Sequence, residues 1–160
     1  MNGLRWQWAR FEELSPRELY KAMELRQCVF VVEQKCPYQD ADGRDVNAWH
    51  LLGWVSPGRS EELAAYARVF ERGVRYDDEA SIGRIVTSPA SREKGYGRLL
   101  MSEAIRRCAE LSPGAPIKLG AQMYLENFYR EFGFESVTAP YEEDGIMHVD
   151  MIRNPASGGQ

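Results

Sequence analysis

Apolar and polar positions alternate over residues 5–11 in the manner of a strand, and then the period changes. Ser15-Pro16-Arg17-Glu18 sets a hydroxyl cap, a proline at the first helical position and a capping-box glutamate in succession, so a helix starts there. Leu19, Met23, Val29 and Phe30 keep roughly helical spacing until residues 35–46, rich in Pro, Asp and Gly, break it. Two strands follow over 48–55 and 62–70, joined by a turn around Pro57-Gly58, and a third covers 82–87. Leu99, Leu100, Ala104, Ile105, Cys108 and Leu111 then recur at three- and four-residue steps, the stripe of a helix that covers one face of a sheet. Residues 116–121 read as a strand, 123–132 as a helix stopped by Gly133, and 134–137 and 147–152 as closing strands. The Gly/Ser/Pro-rich tail 154–160 is expected to be disordered, and 1–153 to form one domain without an internal repeat.

Composition narrows the classes of function. A chain of 160 residues fits one core, and 44% hydrophobic with 28% charged residues is ordinary for a globular domain. A net charge of −4 and no basic stripe argue against a nucleic-acid partner. The N-terminal stretch 1–14 mixes Trp6, Trp8 and Phe11 with Arg5, Arg10, Glu12 and Glu13, so it lacks the apolar run of a signal peptide or membrane span; a cytoplasmic location is expected. Of the three cysteines, Cys28 and Cys108 fall in apolar-periodic segments and read as small buried hydrophobes, and Cys36 too is taken as structural. With only His50 and His148, and no C-x-x-C, no metal is expected; Asp40, Asp42 and Asp45 lack calcium-loop spacing and read as a solvated turn. The length of the 35–46 loop makes it a candidate lid or acceptor-binding segment.

The chemistry concentrates in Arg92-Glu93-Lys94-Gly95-Tyr96-Gly97, between the 82–87 strand and the helix of 98–111. Glycines let successive backbone NH groups face one point, and the following helix adds unpaired donors and its positive dipole end, so a pyrophosphate suits the turn. No G-K-[ST] follows Gly97, and Leu100 stands where a dinucleotide fingerprint needs glycine, which sets ATP and NAD aside.

Downstream, Tyr129-Arg130-Glu131-Phe132-Gly133-Phe134 completes a pattern, glycine turn then Y-x-x-x-G-F, that resembles the GNAT superfamily of acyl-CoA-dependent N-acyltransferases. The runs 26–34, Cys36-Pro37-Tyr38-Gln39-Asp40, His50-Leu51-Leu52-Gly53-Trp54, Ala65-Tyr66-Ala67-Arg68, Leu119-Gly120-Ala121-Gln122 and 141–146 are similar to the ElaA family of small bacterial GNAT proteins. The resemblance implies a single α/β domain with a mixed, splayed sheet of about seven strands and helices on both faces. It also implies acetyl-CoA as acyl donor and an amine acceptor, small molecule or peptide, served by a monomer or homodimer. On this pattern Ile85, Val86 and Thr87 run beside the pantetheine arm, with a strand NH such as that of Val86 facing the oxyanion. Arg92, Glu93, Lys94, Gly95, Tyr96, Gly97 and Arg98 take the pyrophosphate, Asn127 joins the cofactor contacts, and Tyr129 returns a proton to the thiolate. The alternative for Tyr129 is a core filler whose hydroxyl is tied to backbone.

Two departures stand out: Gln122 replaces a frequent asparagine, and Ile117 occupies a frequent carboxylate position, so the pattern names no general base. Glu33 is the first candidate, with Asp40, Asp42, His50, Glu142, Glu143, Asp144 and His148 behind it. Its alternative role is a salt bridge to Arg26 or Arg68. His50 reads as a satisfied core residue and 141–144 as a charged turn. A non-catalytic acyl-CoA-binding regulator and an acyl-homoserine-lactone-synthase-like enzyme remain alternative functions.

Overall fold

The computed structural model describes residues 3–155; residues 1 and 2, and 156–160 of the tail, lie outside the described residues. The chain runs β1 (Arg5–Arg10), α1 (Pro16–Arg26), a π-helical segment (Gln27–Glu33), β2 (Trp49–Val55), β3 (Glu62–Phe70), β4 (Ala80–Thr87) and α2 (Tyr96–Leu111). It continues through β5 (Ile117–Gln122), α3 (Glu126–Arg130), β6 (Glu135–Ser136), β7 (Tyr141–Glu143) and β8 (Ile146–Arg153). One mixed sheet has the order β1-β2-β3-β4-β5-β8-β6, with β7 paired to β8. Its eight described strands exceed the expected seven because residues 141–144, read as a charged turn, form half of a β7–β8 hairpin. Asp144 at φ 53° and Gly145 at φ 82° supply the two positive-φ positions that such a tight reversal needs.

The first helix starts as its residues dictate. Glu18 N–H donates to the Ser15 hydroxyl at 3.1 Å and Ser15 N–H to the Glu18 carboxylate at 2.8 Å, a closed capping box ahead of Pro16. Ala22, Leu25 and Val29 pack against Leu52, Trp54, Leu63, Tyr66 and Val86 on one sheet face. On the other face, Leu100, Met101, Ala104 and Cys108 of α2 pack against Leu51, Ala67, Val69 and Ile82. With a helix on each side, β3 is buried along nearly its whole length, which explains its almost continuous apolar run. Cys108 is buried as expected, and burial pushes its thiol up to about 12. Cys28 is exposed instead, because the π-helical segment abandons the 3.6-residue period that had placed it inward.

One irregularity positions everything that follows. The parallel strands β4 and β5 pair only at Ala80↔Ile117 and Ser81↔Lys118. Beyond Ser81 they diverge, β4 staying with β3 while β5 pairs with β8 along its full length to Gln122↔His148. The sheet therefore opens as a V, and a cleft of about 540 Å³ occupies the opening.

Candidate active site

The cleft brings together Glu33, Ile85, Val86, Thr87, Arg92 and Tyr129, residues spread over almost a hundred positions of sequence. On its β4 wall the register with β3 jumps from Tyr66↔Val86 to Arg68↔Gly83, so Arg84 and Ile85 together oppose Ala67. This bulge kinks the strand and frees part of its backbone from the ladder. Arg84 adopts φ 49°, a left-handed conformation that a non-glycine residue keeps only when its surroundings hold it.

Asp40 is what holds it. Arg84 Nε donates to Asp40 Oδ1 at 2.7 Å, while Arg26 Nε donates to Asp40 Oδ2 at 2.8 Å. Asp45 accepts from Arg26 Nη1 at 2.7 Å and Arg68 Nη1 at 3.0 Å, and Asp42 takes both terminal nitrogens of Arg68 at 2.8 and 2.9 Å. The 35–46 loop is thus not a solvated turn: Asp40 and Asp45 are buried, and three arginines from α1, β3 and β4 pin the loop to the sheet. Burial works against the charge of Asp45 and of Asp42, yet their arginine hydrogen bonds hold both carboxyls below the usual range. Among the described side-chain nitrogen and oxygen atoms that are themselves fully buried, Arg68 Nε alone has no hydrogen-bond partner. His50 is the satisfied core residue expected, Nδ1 facing the Tyr66 hydroxyl at 2.7 Å and Nε2 the Asp45 carbonyl at 2.9 Å.

The glycine turn keeps its donors open. Glu93 at φ 67° and Gly95 at φ 78° fold the chain back, and Gly95 caps α2 without a side chain that could occupy the first helical NH groups. Arg92 enters the cleft, while Glu93, Lys94, Gly95, Tyr96, Gly97 and Arg98 lie past its edge around the helix start. Arg98 pairs with Glu131, and exposed Asn127 accepts from Arg130 at 3.3 Å; neither side chain lines the cleft. Arg92 Nη1 and Nη2 clasp both oxygens of Glu33 at 2.8 and 2.6 Å. Glu33 is therefore bridged to Arg92 rather than to Arg26 or Arg68, which serve the aspartates, and that hydrogen bonding holds its carboxyl below the ordinary range.

Tyr129 lies on the opposite wall. Edge-on contacts with Phe128 at 5.3 Å and Phe134 at 6.1 Å fix its ring, and it is only 5% exposed. Its hydroxyl has no hydrogen-bond partner among the described residues, so it is not tied to backbone as a core filler would be. Burial first, then the neighbouring Tyr124, raise its pKa, which keeps the phenol protonated throughout the physiological range.

Sequence reasoning had named His148 without distinguishing it. Its Nδ1 faces the Ile146 carbonyl at 2.8 Å, so the neutral ring carries its hydrogen there and leaves an Nε2 lone pair. The ring stacks on Tyr141 at 5.9 Å and lines the cleft. Gln122, one of the departures, exchanges amide hydrogen bonds of 3.3 and 3.1 Å with Gln34 across the cleft. The Cys36 thiol donates to the Asp144 carbonyl at 3.0 Å, a second link from the same segment. Tyr141 donates to Asp150 at 2.5 Å above Gly120, where a Cβ would approach the tyrosine oxygen to 3.2 Å. The Asp144-Gly145 dipeptide, favoured at two-residue reversals, was the signal for this hairpin.

A splayed sheet, a glycine turn at a helix start and a buried tyrosine border one cleft, and comparison with known proteins decides the family. Residues 58–154 match the family described as acetyltransferase (GNAT) domain. Protein ElaA of Escherichia coli is 45% identical over 155 residues, covering 94% of this chain and 96% of its own. The chain belongs to the GNAT acetyltransferases, in the ElaA family. A crystal structure described as an acyl-CoA N-acyltransferase from Pseudomonas aeruginosa superposes with a TM-score of 0.86 at 40% identity, over 94% of this chain and 99% of the other. The homoserine-lactone synthase LasI superposes at 0.72 but with 12% identity, covering 94% of this chain and 89% of its own, so it shares the fold alone. Membership of the GNAT family supports acyl-CoA-dependent N-acyltransferase activity, with acyl-CoA as co-substrate. Among the described residues no cluster of His, Cys, Asp or Glu could hold a metal, and no helix is long and apolar enough to cross a membrane.

Proposed function

We propose that this GNAT protein transfers an acetyl group from acetyl-CoA to a primary amine by direct attack within a ternary complex. The observation that carries the reading is that buried Tyr129 lines the gap where β4 and β5 part with its hydroxyl unpartnered. Pantetheine lies along Ile85, Val86 and Thr87 in that gap, with its pyrophosphate at Arg92 and the NH groups of 93–98, and Asn127 at the outer edge of the cofactor. The amine lone pair attacks the thioester carbonyl carbon, a strand NH near the bulge, that of Val86, meets the developing oxyanion, and the C–S bond breaks as the C–N bond persists. Tyr129 gives its proton to the departing thiolate. For the amine proton, the geometry favours His148, whose Nε2 lone pair is open, over Glu33, whose oxygens are both occupied by Arg92.

Tyr129→Phe tests this reading. In a thiol-release assay with acetyl-CoA and a panel of polyamines, amino acids, aminosugars and peptides, kcat is expected to fall about 10²-fold or more while calorimetric acetyl-CoA affinity is retained. Wild-type binding without turnover on any amine would favour a non-catalytic acyl-CoA-binding regulator. Unchanged kcat in the variant would remove Tyr129 from the chemistry.

A further inference from the structure

Arg92 opens the glycine turn, yet the outer edge of its guanidinium is clasped by Glu33, Nη1 and Nη2 on two oxygens. That fork is the same geometry with which arginine grips a phosphate, and one guanidinium face cannot hold both partners. The pair is weakly held: the side chains are 40% and 43% exposed, and an exposed ion pair alters an equilibrium by a factor of about five at most. Arg26 and Arg68 differ, since they are buried on carboxylates of their own and are not available for exchange.

Glu33 also occupies a telling place. It ends the π-helical segment, a rare geometry that is frequent at functional sites, and the residues just after it reach across the cleft, Gln34 to Gln122 and Cys36 to Asp144. Among the described residues Glu33 makes no ion pair other than that with Arg92, and Glu143 and Asp144 on the facing hairpin make none. Displaced from Arg92, Glu33 joins Glu143 and Asp144 as a carboxylate without an ion pair on one cleft, which Arg75 also lines.

We propose that Glu33 is a specificity residue held in reserve: the pyrophosphate of acetyl-CoA takes Arg92 from it, and the released carboxylate, with Glu143 and Asp144, then receives a cationic amine. The inference rests on the acyl-CoA reading above and deepens it. It gives the reaction an order, cofactor before amine, because the amine's anionic subsite is complete only after the exchange. It also sets the acceptor class, an amine bearing a further positive charge.

Calorimetric titration of the full chain tests the exchange, with acetyl-CoA and, as control, S-acetylpantetheine, which lacks the pyrophosphate. Glu33→Gln removes the competitor, so acetyl-CoA is expected to bind about two- to five-fold more tightly, with S-acetylpantetheine unaffected. Simple loss of a nearby negative charge would also tighten binding, so the decisive comparison is the same substitution in an Arg92→Ala background. There the gain is expected to vanish. In turnover at saturating acetyl-CoA, the panel amine that reacts fastest is expected to be polycationic, and Glu33→Gln to raise its KM with little change in kcat. Unchanged or weaker acetyl-CoA binding in Glu33→Gln, a gain that survives Arg92→Ala, or an unchanged amine KM would each overturn the proposal. If wild type fails to bind acetyl-CoA, the acyl-CoA reading itself falls.

Discussion

Two arginine–carboxylate constellations border the same cleft, and they do opposite work. Arg26, Arg68 and Arg84 with Asp40, Asp42 and Asp45 form a buried, many-bonded network that fastens a loop to three elements. Arg92 and Glu33 form one exposed pair. The residue types are the same, and the difference lies in the surroundings. Buried charges that lose a partner cannot recover it from water, so the network is permanent once formed. An exposed pair is nearly balanced against hydration, so an anion of higher charge can replace one of its members. The first constellation is scaffold and the second is a moving part.

The sharpest way to break this contrast is to remove one arginine from each. Arg26→Ala takes one of two arginine partners from each of the buried Asp40 and Asp45 and is expected to cost about 3 kcal/mol in urea unfolding. Arg92→Ala is expected to cost about 1 kcal/mol or less by the same measurement. Equal losses would erase the distinction between scaffold and moving part.

Acid separates the two regions next. Burial, against the raising effect of Asp45, keeps the folded pKa of His50 below its free value, so below about pH 6.5 the unfolded chain binds the extra proton. Stability from this group is complete above pH 6.5 and is lost as pH falls toward the folded pKa. Asp42 and Asp45, also lowered on folding, add a second loss as pH drops below about 4. Thermal melts between pH 8 and pH 3 are expected to show both windows, and His50→Gln to flatten the upper one. The smallest effect is expected from Glu33→Gln, within about 1 kcal/mol of wild type in urea, while its change in acetyl-CoA affinity shrinks as salt is raised to about 1 M.

Much of the fold was legible because it is written locally. The capping box at Ser15 and the apolar run of β3 each depend on neighbours within a few residues, and each stands where the pattern placed it; the helix expected over 123–132 is shorter, since 123–125 form a 3-10 turn and α3 closes at Arg130, ahead of the positive-φ Gly133. What failed did so where partners are distant. Asp40 and Asp45 look like turn residues, since nothing nearby announces that Arg26 lies 14 and 19 positions back and Arg84 lies 44 ahead. Cys28 followed a helical period that the chain itself gives up at Gln27. Glu33 stood out as the first candidate base, but its partner 59 residues on did not.

The sequence by itself determined the family, most of the elements and the glycine turn, because cap chemistry, hydrophobic period and glycine conformations act over a few bonds. Tertiary structure alone decided that β4 and β5 separate after Ser81, that Arg84 is held at a bulge by Asp40, and that His148 keeps an open nitrogen beside the cleft. It decided as well which arginines are buried. The strength of a charge pair depends on how much water surrounds it, and the packing of the whole chain sets that.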